Sequence, residues 1–231
     1  DHDEYNFPLL VPHDLLDKEN KLVQTLKMAR EQGVDPSELR IEEEIGGFEK
    51  EVYWVKQAGE HDLDVPMFLR PTSETPMYTM FSLWIRSHAD LPLKTFQIVN
   101  TFRYETKQTR SFIRVREIHF FEAHTAHADQ SGADAQIDED SDIVRRLLHD
   151  LCLPAIISKR PVWDTFPGAW YTNAVDAIMP NGRTLQIASY HHYRDQWARA
   201  FDITYEGADG SQGNCHQTTF GMSERLLGAV V

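Results

Sequence analysis

Cysteine is scarce: Cys152 and Cys215 are the two in 231 residues, 63 positions apart and in no CxxC pair. That excludes a disulfide framework and a zinc knuckle, and it suits a reducing cytoplasm. Long apolar runs are missing as well. None approaches the roughly 18 residues of a membrane-spanning helix, and no secretory signal is visible, so no membrane partner is expected. Positive charge is short: 23 Lys and Arg face 36 Asp and Glu, giving net −13, and lysine supplies only eight. Such a surface opposes non-specific nucleic-acid binding, so a polyanion must be met by a local patch. A salt-adapted source gives the same bias. Helical HxxxH spacing is absent, and His119, His124, His127, His191 and His192 make no metal-binding pattern, so no metal ligand is expected.

What is present is an ordinary core-forming composition, 41% hydrophobic and 26% charged, enough for one large domain or two small ones. FPLLVP (7–12) reads as a strand. Helical spacing of Leu15, Leu22, Leu26 and Ala29 predicts a helix to Gln32, with Asp14 as N-cap and Gly33 as stop. After the charged connection EEEIGG (42–47), strands are predicted at 51–56 and 66–70, then a helix over 73–90. FQIVNTFRY (96–104) and RVREIHFF (114–121) predict an antiparallel pair around a polar excursion from Glu105 to Phe112. A helix over 131–153, a hairpin turning at Pro180-Asn181-Gly182, two further strands and a starting helix complete the reading. The tally favours an α/β domain of α+β type, with a largely antiparallel sheet and helices on one side. Both ends fall inside apolar patterns, so the expectation is a piece of a longer protein, 1–231 being a single core.

FRYETKQTRSFIRVREIHFFEAHTAH (102–127) concentrates four arginines and a lysine within an acidic chain. Strand alternation puts Arg103 and Glu105 on one face of the outgoing strand, and Arg114, Arg116 and Ile118 on one face of the return. A guanidinium on a sheet floor offers a rigid donor fork for phosphate or carboxylate. Cross-strand ion pairs on a solvated sheet explain the same residues. In LRPTSET (69–75), Thr72 and Glu74 sit where a strand becomes a helix. They can hold an ammonium, or simply cap the helix. TLQIASYHH (184–192) places Gln186 and Ala188 on one face, with Leu185, Ile187 and Ser189 on the other. GMSERLLGAVV (221–231) reads alone as a strand passing into an apolar helix.

Taken in order, these pieces resemble the signature of class II aminoacyl-tRNA synthetases. FRYE followed by RVRE is similar to that class's second motif, GMSERLLGA to its third, and FPLLVP to the tail of its first. RPTSE, GFEKEVYWV, WDTFPGAWYT and TLQIASYHH resemble the archaeal and eukaryotic type of its prolyl branch. The resemblance implies a six- or seven-stranded antiparallel sheet flanked by helices, binding ATP and L-proline side by side, with Mg²⁺. It implies that Arg103 takes the α-phosphate near the amino-acid carboxylate and that Glu105 reads the adenine amine. Arg114 and the backbone at Val115 hold the triphosphate, with Arg116 or Arg110 as helpers. Arg225, after Ser223, stacks on adenine. Gln186 and Ser189 contact the nucleotide, Thr72 and Glu74 receive the proline imino group, and His191 closes that pocket. It further implies a homodimer in the full-length protein, tRNA(Pro) as acceptor, a cytoplasmic location, and an anticodon-binding domain outside this chain. Ile118 departs from a phenylalanine common under the adenine, with Phe120 as substitute, and Ser189 replaces a threonine. A relative activating serine or threonine, and a non-catalytic paralogue, are the alternatives.

Overall fold

The computed structural model describes residues 1–34, 51–104 and 108–231. The connection read at 42–47 and Glu105, expected to read the adenine amine, lie outside the described residues.

The chain opens with β1 (Asp3–Glu4) and β2 (Leu10–Pro12). The strand expected over 7–12 is shortened because Phe7 turns inward: its N–H donates to Gln97 Oε1 at 3.1 Å and its ring is buried. Helix α1 (His13–Gln32) follows. Its N-cap is Pro12, not Asp14, and no side chain caps it; a proline leaves no donor to satisfy there. Gly33 stops it in the left-handed region, φ 67°. Next come β3 (Tyr53–Ala58), β4 (His61–Leu69) and α2 (Glu74–Trp84). Strands β2, β4 and β3 make a small sheet, which Val11, Val52 and Phe68 pack against Leu16 of α1. Helix α2 ends short of the expected residue 90. Ile85 is extended, and Ser87 with Asp90 forms a capping box that starts a separate turn.

Strands β5 (Leu93–Phe102) and β6 (Glu117–His127) lead into α3 (Gln130–Asp150), whose N-cap Asp129 accepts from Gly132 N. Then follow β7 (Ala155–Lys159), β8 (Tyr171–Ile178), β9 (Thr184–Arg194) and the short α4 (Gln196–Ala200). A two-stranded ribbon, β10 (Thr204–Glu206) with β11 (Gln212–Asn214), precedes β12 (His216–Ser223) and α5 (Arg225–Val230). Strand β7 and helix α4 have too few residues to show a period, which is why the sequence pattern passed over them.

The main sheet has seven strands in the order β1-β5-β6-β12-β9-β8-β7, all antiparallel neighbours except β1 alongside β5. Helices cover both faces, not one as the element tally predicts. On one face Ala123, Val175, Ile187, Tyr190 and Phe220 pack with Ile137, Val144 and Leu148 of α3. On the other, Ala126 and Tyr193 pack with Met77, Tyr78 and Phe81 of α2 and Trp197 of α4. Each of the Val, Leu, Ile, Phe and Met side chains among them contributes roughly 1.5–3 kcal/mol by leaving water. This second core spans only part of its face; the remainder opens into a cleft.

Two contacts fix the elements around that opening. Gly168 has φ 84°, and a Cβ there would lie 2.7 Å from Nε1 of the fully buried Trp197. Gly168→Ala is expected to cost at least roughly 1–3 kcal/mol, from backbone strain alone; a denaturant midpoint equal to wild type would contradict this. Glu19 of α1 is 2% exposed and accepts a hydrogen bond from Thr75 Oγ1 in the first turn of α2. Burial, above all, pushes its carboxyl up to about 8. A carboxyl raised on folding contributes stability fully below its unfolded value, which is lost as pH rises through 8. Glu19→Gln should therefore match wild type near pH 5 and exceed it near pH 9. Denaturation at the two pH values checks the sign; a constant difference between the proteins would refute it.

Candidate active site

The opening is a cleft of about 510 Å³ on the open part of the second face. Its floor is set by register. Gly221 of β12 lies between Glu122 of β6 and Ser189 of β9, and Thr219 lies between His124 and His191. These residues therefore share one face, with Phe120 beside Ser223. A Cβ on Gly221 would come within 3.0 Å of the Phe120 ring. Glycine leaves that ring room in the cleft. Ile118 and Phe120 both line it, forming an apolar base. Strict alternation put Gln186 and Ser189 on opposite faces. A β-bulge leaves Ile187 without a partner between Val175↔Ala188 and Asp176↔Gln186, and this extra residue returns Gln186 to the cleft side.

Arg103, Arg114 and Arg225 line this same cleft, with Val115, Ser223, Gln186, Ser189, His191 and Thr72. The strand-face argument for the arginines needs correcting. Strands β5 and β6 stop at Phe102 and Glu117, so alternation does not govern Arg103, Arg114 or Arg116. Instead Arg103 N donates to Arg116 O at 2.9 Å, and the return segment curls on itself, Arg110 and Arg114 exchanging backbone bonds of 2.8 Å. Arg116 and Arg110 are exposed and are not among the lining residues. Arg103 is aimed by Nε donating to Pro71 O at 3.0 Å. Arg225 donates from Nε to Ile113 O at 2.9 Å and from Nη1 to Gln186 O at 3.2 Å. It thus ties the curled segment to β9 across the cleft. Sequence reading missed a fourth guanidinium, Arg160, which also lines it and bridges to Asp176 Oδ1 at 2.8 Å. Nothing in the local pattern distinguishes that lone arginine at a strand end.

At the inner end the sign of charge reverses. Thr72 lines the cleft, while Glu74 lies behind it, 1% exposed. Thr72 Oγ1 is 2.5 Å from Glu74 Oε2, and Tyr193 OH donates to Glu74 Oε1 at 2.8 Å. A second carboxyl, Glu122, is fully buried and accepts from Ser73 N at 3.2 Å and from Ser73 Oγ. Burial, then the neighbouring Glu74, pushes Glu122 up to about 7. Sequence reading missed Glu122; β6 carries a second acid, Glu117, so residue type alone did not single it out. His191 is held neutral, its pKa lowered to about 4 chiefly by burial. Phe166 N donates to Thr172 Oγ1 at 2.9 Å, and the same hydroxyl pairs with His191 Nδ1, 2.8 Å away. The imidazole Nε2 faces Ser189 Oγ at 3.3 Å, so both ring nitrogens meet a hydroxyl. Phe166 stacks on the ring, centroids 4.6 Å apart.

The arrangement is a trough with guanidiniums at its mouth, an apolar base and carboxylates beneath its inner end. It suits a ligand that joins phosphate to a small zwitterion. The comparisons agree with that chemistry. A proline–tRNA ligase of Pyrococcus horikoshii is 53% identical over 231 residues, covering all of this chain and 44% of that protein. One of Thermococcus kodakarensis is 54% identical with the same coverage. Among solved structures, Giardia lamblia prolyl-tRNA synthetase in complex with prolyl-adenylate superposes with TM-score 0.87 at 36% identity, covering 99% of this chain and 41% of that one. Cryptosporidium parvum prolyl-tRNA synthetase with L-proline and AMP gives 0.82 at 29% identity, over 100% and 41%. This chain thus spans less than half the length of each. The family model for the tRNA synthetase class II core domain (G, H, P, S and T) matches residues 53–231, and the chain belongs to that family.

Proposed function

We propose that this chain is the catalytic core of a proline–tRNA ligase, activating L-proline with ATP to prolyl adenylate and passing the prolyl group to tRNA(Pro). The observation that carries the reading is that Arg103, Arg114 and Arg225, from separate segments, meet in one cleft above the Thr72–Glu74 pocket. The triphosphate lies across Arg103 and Arg114, with Val115 backbone alongside. Adenine sits on the Phe120–Ile118 base beneath Arg225, and Gln186, Ser189 and Ser223 edge the nucleotide. The proline ammonium faces Thr72 and Glu74, its carboxylate faces Arg103, and neutral His191 closes the pocket.

The reaction is attack of the prolyl carboxylate oxygen on the α-phosphorus. That P–O bond forms as the bond to pyrophosphate breaks. No protein nucleophile is required, because alignment and charge neutralisation by guanidiniums supply the rate. A ribose hydroxyl at the tRNA end then displaces AMP from the prolyl carbonyl. Mg²⁺ is compatible with this cleft as an ion carried largely by phosphate and water. Among the described residues no cluster of three metal-ligating side chains exists, but the Glu224 carboxyl lines the cleft and its Oε2 lacks a partner. Glu224 would hold the ion, which when bound adds charge neutralisation at the phosphates. We further assign a cytoplasmic location and a homodimeric full-length protein; no helix among the described residues is long and apolar enough to cross a membrane.

Pyrophosphate exchange into ATP across proline, serine and threonine tests the assignment. Proline alone should support exchange; serine or threonine in its place would move the chain to another member of the family. Titration with ATP and Mg²⁺ separates a non-catalytic paralogue with a retired nucleotide site, for which no heat is expected. Arg103→Ala should lower exchange by more than 100-fold, roughly the value of one charge-stabilising donor, with an unchanged melting temperature. A large fall in melting temperature would make Arg103 a structural ion-pair residue.

A further inference from the structure

Thr72 Oγ1 lies 2.5 Å from Glu74 Oε2 and 3.0 Å from Glu122 Oε1. A hydroxyl carries one proton and can satisfy only one of two carboxylates. The remaining oxygens are already engaged: Glu74 Oε1 takes Tyr193 OH, and Glu122 Oε2 takes Ser73 Oγ, which in turn accepts from Gln97 Nε2 at 2.7 Å. Two carboxylates in contact with one hydroxyl, both sealed from water, do not both stay ionised. The second short contact therefore needs a hydrogen supplied by a carboxyl.

We propose that in the empty site the Glu74–Glu122 pair shares one proton across Thr72, and that the ammonium of the substrate displaces it. Binding then exchanges one positive charge for another. The carboxyl O–H bond breaks, the proton goes to solvent, and the pair meets the ammonium N–H groups as two carboxylates. This pocket therefore selects a cationic amine and rejects a neutral one of the same shape. The inference rests on the amino-acid pocket proposed above.

The surroundings leave Glu122, joined to Glu74 through Thr72, as the titrating group. Arg70 is the cation that acts on Glu122, and Glu19 is the third buried acid facing Glu74. Tyr78 and Tyr193 are raised by burial and neutral, while His124 and His191 are lowered to about 4 and neutral. Glu122 stands near 7, so the shared proton is present below neutrality and absent above it. Glu19 titrates nearby but bonds to Thr75, not to Thr72.

Calorimetric titration of the chain with L-proline, in buffers of different ionisation enthalpy, counts the released proton. About one should leave per proline near pH 6 and almost none at pH 8, with affinity tightening about tenfold between them. Glu122→Gln should abolish both release and pH dependence, whereas Glu19→Gln should keep them. Infrared spectra of the ligand-free proteins supply an independent readout. A protonated-carboxyl band should be present at pH 6, smaller in Glu122→Gln, and smaller in wild type once proline is added. A pH-independent affinity without proton release, or wild-type and Glu122→Gln spectra that coincide, would overturn the proposal. If the band behaves as described but proline does not bind, the shared proton stands and the amino-acid reading falls.

Discussion

The start of α2 is where the rest of the site is held. Thr72, Ser73 and Glu74 are buried there, bonded through hydroxyls and one backbone N–H to Glu122 in the middle of β6. That network docks a helix N-terminus onto a sheet and puts acidic groups at the deep end of the cleft. An unpaired buried carboxyl is costly, so the network is satisfied as a unit or not at all. Its neighbours follow: Pro71 O aims Arg103, and Tyr193 joins Glu74 to the aromatic core of α2 and α4.

Opposite charges are thereby separated along one trough. Guanidiniums gather at the mouth because the segment 110–114 curls on itself and is tied back by Arg225 to Ile113. Carboxyls gather beneath the inner end because β6 and α2 bury them together. An acidic chain can in this way bind a polyanion without a basic surface. The charge layout of the proposed ligand, phosphates at one end and an ammonium at the other, matches that order.

Much of the fold was legible because its long elements carry clean periods. Helices α1 and α3 and the β5–β6 pair follow from apolar spacing, and Gly33 marks a real stop. What escaped notice was short or irregular. Strand β7 and helix α4 have five residues each, and the bulge at Ile187 reverses the face of Gln186, which strict alternation cannot foresee. Side chains assigned to the cleft by family likeness line it, apart from the helpers Arg110 and Arg116, which are exposed, Glu74, which lies behind Thr72, and Glu105, which lies outside the described residues. Glu122 and Arg160 were not legible. Their placement depends on which strands become neighbours, and β6 meets β12 only after some ninety residues of intervening chain.

A crystal structure of the chain with a non-hydrolysable ATP analogue and L-proline tests the central claim most directly. The account predicts a bent nucleotide touched by Arg103, Arg114 and Arg225 at once, with the proline nitrogen against Thr72. A nucleotide bound in another cavity, or contacted by only one of the three arginines, would contradict it.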